Sequence, residues 1–148
     1  MKDRINIQEI NPKAYQAMFA LEGFLATTSI SKSHKELIKI RTSQINGCAF
    51  CLDMHIKDAL KNGESPQRIY TLSAWRETSF FTEEEMAILT LTEEVTLISS
   101  GVSEETYERV AGLFTAIQLS EIIMAIVTIN AWNRIAISTH LKPAFENR

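Results

Sequence analysis

The stretch from Ile122 to Trp132, IIMAIVTINAW, is apolar nearly all round when wound as a helix. A helix without a polar face has to be covered on all sides. In a chain of 148 residues, this predicts a central helix wrapped by others, or a helix buried at a subunit interface. Its longest strictly apolar run, Ile122 to Val127, is far too short to cross a bilayer.

The rest of the chain reads as one helix after another. NPKAYQAMFALEGFLATTS opens with Asn11 as N-cap and Pro12 at the first helical position, with Tyr15, Met18, Phe19 and Leu25 as its apolar stripe. SHKELIKIRTSQ has Ser33 and Glu36 in capping-box register. Asn46–Gly47 breaks that helix, and CAFCLDMHIKDALKNG forms the next, closed by Gly63. Ser65–Pro66 starts a short helix running towards Trp75. Thr82 and Glu85 repeat the capping box ahead of Ile88, Leu91, Val95 and Ile98. Behind a Ser103 cap, Tyr107, Val110, Leu113, Phe114 and Ile117 form a further stripe. No strand alternation, linker or repeat interrupts this pattern. The expectation is an all-α helical bundle of six to eight helices, a single domain over residues 1–148.

Apolar residues make up 45% and charged residues 22%, as in an ordinary globular protein, and the net charge is −3. That charge offers no electrostatic reason to expect nucleic acid or an anionic membrane as partner. The first ten residues mix charge and apolar groups without a secretory apolar region, which places the protein in the cytoplasm. Two cysteines do not make a disulfide framework; in a chain without an export signal, a close pair points to catalysis or metal binding.

That pair lies in NGCAFCLDMH, residues 46–55. At helical spacing Cys48 neighbours Cys51, and Cys51 neighbours His55. Both cysteines fall in the first turn after the break, where unpaired N–H groups and the helix dipole stabilise a thiolate. In a regular helix their Cβ atoms lie about 5–6 Å apart, against about 3.5–4.5 Å in a disulfide, so a small adjustment of that turn joins them. His55 is one turn from Cys51, close enough to take its proton, which makes Cys51 the activated thiol and Cys48 the resolving one. Counting back from the break, Glu36 and His55 each lie about 14 Å from the bend and could face one another across an antiparallel pair.

Each residue also has a plainer reading. Glu36 fits a capping box without any catalysis. Zinc is the rival for the cysteines and His55, as a structural oligomer, although a structural zinc site usually adds a fourth ligand from a second pair. His34 and His140 are the only other histidines, and no second CxxC accompanies the first. No metal is therefore assigned. Trp75, Trp132 and the methionines read most simply as core or interface.

With Glu36, Cys48-Ala49-Phe50-Cys51 and His55 in place, the sequence resembles the alkylhydroperoxidase D core-domain family of the carboxymuconolactone decarboxylase-like superfamily. That family's pattern is Glu, eleven residues, CxxC, three residues, His, and every spacing is intact. The similarity continues through Arg68 to Thr96 and in the closing INAWNRIAIS, Ile129 to Ser138. The resemblance implies an all-α fold assembled into homo-oligomers, trimers or hexamers, with no cofactor. It also implies a thiol peroxidase, in which Glu36 and His55 relay the proton of Cys51. The Cys51 thiolate attacks a hydroperoxide and becomes a sulfenic acid, and Cys48 condenses with it. An external dithiol donor, a lipoyl-bearing protein in the best-known member, then reduces the disulfide. One position departs: the best-characterised peroxidases of the family carry a second histidine just before the second cysteine, and here that residue is Phe50. The departure leaves two alternatives open, a general disulfide oxidoreductase and a redox sensor with little peroxidase activity.

Overall fold

The computed structural model describes residues 4–146. Within them the chain forms eight α-helices: α1 (Ile7–Ile10), α2 (Pro12–Ala26), α3 (Lys32–Asn46), α4 (Ala49–Lys61), α5 (Pro66–Thr71), α6 (Glu83–Thr96), α7 (Glu104–Leu113) and α8 (Ala116–Thr139). Short 3₁₀ turns cover Leu72–Glu77 and Ile98–Ser100. The described residues contain no strand, so the all-α expectation holds.

The caps explain most of the boundaries. Thr82 and Glu85 form the expected capping box, and the Ser103 side chain accepts from the backbone N–H of Thr106. Asn11 and Pro12 stand where expected, although the Asn11 side chain makes no capping bond. Gly47 ends α3 in the left-handed region, at φ 71°, a conformation that costs a residue with a Cβ. Three boundaries differ from the sequence reading; helix α6 ends at Thr96, which leaves Ile98 in the following 3₁₀ turn. Helix α3 is capped by Ser31, whose side chain accepts from the N–H of His34, so Ser33 lies inside the helix. Helix α8 begins earlier than its apolar run, at a Thr115–Gln118 capping box, which takes Ile117 out of the preceding stripe.

Helix α3 is the hub, packing on α4, α6 and α8. One core cluster joins Ile38, Ile88, Leu91, Ile122, Ile126 and Ile129, and it includes both cysteines. A second joins Leu37, Ile40, Leu72, Trp75 and Leu89. The predicted central helix is α8, which contacts α2, α3, α4, α6 and α7. At 24 residues it is long and apolar enough to cross a membrane by length and composition. It nevertheless carries buried Glu121, which accepts from Ser29 in the α2–α3 loop, and buried Asn130 and Asn133, both bonded to α3. Its burial is not uniform: Val127 is 43% exposed, so the cover along its apolar face is incomplete.

Candidate active site

The chain reverses at Gly47 and starts α4 with Cys48 as N-cap. Cys48 therefore has extended backbone angles, φ −86° and ψ 94°, rather than helical ones. This places its sulfur over the first turn, where it accepts from the N–H of Cys51 and is joined to Cys51 in a disulfide, with Cα atoms 5.4 Å apart. The cap conformation, not a distortion of the helix, brings the sulfurs together. Both cysteines are buried, at 1% and 2% exposure.

One turn on, the His55 side chain points at α3. Its Nδ1 lies 3.5 Å from Glu36 Oε2, and both atoms are buried with no other partner among the described residues. Two buried polar atoms left to each other form a poised pair, because an unpaired polar atom in the interior is costly. The Ser31 cap frees Glu36 from the box in which the sequence placed it. Its other oxygen, Oε1, lies 3.7 Å from the ammonium of Lys39, one turn along α3. The structure thus brings Glu36, Cys48, Cys51 and His55 together, with Lys39 as a neighbour that sequence reasoning missed.

Cys51 and His55 open onto a cleft of about 520 Å³ between α2, α4 and α8. Its aromatic wall is Tyr15, Phe19 and Trp132, whose ring centroids lie 5.4–5.9 Å apart, and Trp132 donates its indole N–H to Glu22. Phe50 and Met54 add apolar surface from α4 itself. These aromatic groups read from sequence as core stripe, yet Phe19 is 52% exposed. The signal that could have found them was the pairing of aromatics on the first long helix with a tryptophan on the last.

A buried amide network backs the turn. Asn46 donates to Asn130 and Asn133, and Asn133 donates to Ser43, tying the end of α3 to α8 just before Cys48. Two asparagines inside an otherwise apolar helix were its only mark in the sequence. His34 and His140 lie elsewhere: His34 packs edge-on against Phe114, and His140 caps α8 in the left-handed region. Among the described residues no three His, Cys, Asp or Glu side chains are grouped to hold a metal ion.

Eight helices with a CxxC disulfide at a helix N-terminus, a histidine one turn on and a facing glutamate define an AhpD-like helical protein. The carboxymuconolactone decarboxylase family model matches residues 12–94, and the chain belongs to that family. It is 46% identical over 139 residues to the uncharacterised protein YdfG of Bacillus subtilis (strain 168), covering 93% of this chain and 95% of that one. Among solved structures, it is similar to a protein of unknown function from Agrobacterium tumefaciens, described as an AhpD candidate in antioxidant defence. The identity there is 38%, with a TM-score of 0.94, over 98% of this chain and all of the other. A peroxidase-related alkylhydroperoxidase AhpD core from Ralstonia eutropha JMP134 shares the fold, with 20% identity, a TM-score of 0.74 and coverage of 93% and 74%.

Proposed function

We propose that the protein is a dithiol peroxidase that reduces organic hydroperoxides with the Cys48–Cys51 pair. The observation that carries this reading is the disulfide seated at the N-terminus of α4, opening with His55 onto a cleft. In the reduced enzyme the first-turn N–H groups and the helix dipole favour a thiolate. His55, with Nδ1 turned to Glu36, keeps its other ring nitrogen free to take the Cys51 proton, and Glu36 steadies the imidazolium that results. The thiolate attacks the outer oxygen of ROOH, the O–O bond breaks, and RO⁻ takes the proton from His55 to leave as ROH. Cys51 is then a sulfenic acid. Cys48 displaces its hydroxyl as water, forming the disulfide. A dithiol donor restores two thiols by exchange and leaves as its own disulfide, which completes a cycle of two electrons and two protons.

The test is a thiol count with intact mass on reduced protein before and after one equivalent of cumene hydroperoxide. Loss of both thiols with a drop of about two hydrogens supports the reading. Persistence of both thiols, or full turnover by Cys51→Ser, overturns it. A second reading, exchange with small disulfides, draws on Phe50, which leaves the relay one histidine short. Faster oxidation by a small disulfide than by a hydroperoxide selects it. Under either reading we place residues 1–148 in one catalytic domain of a cytoplasmic homo-oligomer served by an external dithiol donor.

A further inference from the structure

The cleft beside Cys51 and His55 is far larger than hydrogen peroxide requires; about 300–1,000 Å³ is the range of sites that enclose a whole small molecule. Its walls are mainly aromatic and aliphatic, with Asn6, Gln8, Glu22 and Asp58 as polar members and, among the described residues, one lysine or arginine, Lys39. The Lys39 side chain is only 15% exposed, and its ammonium donates no hydrogen bond among the described residues. An ammonium carries three donors, and at the wall of the cleft they can be offered to an acceptor on a ligand. Its one ion-pair partner among the described residues, Glu36, stands 3.7 Å away, also lies against His55, and does not line the cleft. Two carboxylates also line it: Glu22, which accepts from Trp132, and Asp58, an exposed residue of α4. A mainly apolar chamber whose one lysine among the described residues donates no hydrogen bond suits an amphipathic monoanion.

We propose that Lys39 recognises a carboxylate, so that the preferred substrate is a hydroperoxide on a long apolar body bearing a carboxylate, a fatty-acid hydroperoxide by chemistry. This rests on the reading of the Cys51–His55 cleft as the substrate site. The apolar body lies along Tyr15, Phe19 and Trp132, and the carboxylate accepts from the Lys39 ammonium. Lys39 is a specificity residue in this scheme and takes no part in the O–O cleavage.

The experiment measures binding and turnover separately. Lauric acid and lauryl alcohol are titrated calorimetrically into the disulfide form of the protein, the wild type beside Lys39→Met and Lys39→Arg. The acid is expected to bind wild-type protein about tenfold or more tighter than the alcohol, as a charge-assisted hydrogen bond provides. That margin should collapse in Lys39→Met, persist in Lys39→Arg and shrink with added salt. Equal affinity for acid and alcohol in the wild type, or a margin that survives Lys39→Met, overturns the proposal. In turnover, the ratio of kcat/KM for linoleic acid hydroperoxide to that for cumene hydroperoxide should fall in Lys39→Met. An equal fall on both substrates overturns the specificity role. Turnover of neither peroxide, with the lauric acid margin intact, would instead sink the peroxidase reading and leave the carboxylate site standing.

Discussion

At the scale of single residues, the proposed reaction draws on a sulfur pair, an imidazole and a carboxylate, each held by a different local device. Cys48 is set by its cap conformation, Cys51 by the first turn, His55 by the next turn and Glu36 by the facing helix. In the proposed mechanism Glu36 acts through His55, as a positioning residue. Glu36→Gln should slow oxidation of the reduced enzyme by hydroperoxide about a hundredfold, the low end of general acid–base assistance. The pH profile of that rate should shift as well, as loss of packing alone would not make it do; stopped-flow oxidation across pH 5–9 checks both. These four residues were legible in the sequence because helical spacing and one sharp reversal determine their neighbours. Lys39 and the aromatic wall were not. Tyr15 and Trp132 meet from opposite ends of the chain, and no local spacing announces a contact of that range.

At the scale of elements, the α3–α4 reversal and the anchoring of α6 matter most. Gly47 has φ 71° and open space where a Cβ would stand, so Gly47→Ala meets a backbone penalty and no clash. The cost should be about 1–2 kcal/mol, read from the urea midpoint of the oxidised protein. The start of the reversal was visible as Asn46–Gly47; the amide network that holds it to α8 was not, because its members are isolated polar residues in apolar surroundings. Helix α6 is fastened to α3 and to the Leu72–Glu77 turn through Glu93. Burial pushes this carboxyl up, but hydrogen bonds from Trp75, Arg76 and Arg41 outweigh that and hold it below the usual range. A carboxyl lowered on folding contributes stability in full above its unfolded value of about 4.3, and loses it as pH falls through the lower folded value. Glu93→Gln should therefore be less stable than wild type at pH 7, with the gap closing below about pH 4. Thermal melts at pH 3, 4, 5 and 7 measure it. From sequence, Trp75 read as core or interface; its indole N–H shows that it also serves as a donor.

At the scale of the whole molecule, the all-α architecture followed from periodicity, caps and one helix too apolar to stand alone. What periodicity did not reveal is how incompletely that helix is covered. Ile117 is 70% exposed, Val127 43% and Ile137 41% along α8, and Tyr70 on α5 is 81% exposed. Apolar groups of this size left open on several helices fit contact with further copies of the chain. Light scattering should give a mass of three or six chains, and a monomer would remove the assembly from the proposal. A final consequence follows from the position of the sulfur bridge. It spans three residues at one end of one helix, and α3 and α8 hold that helix on their own account. A ring so small restrains the unfolded chain far less than one closing a long loop. Under the proposed cycle, making or breaking it should leave the helices where they are, so the molecule would keep one shape whether it is holding two electrons or has just given them away.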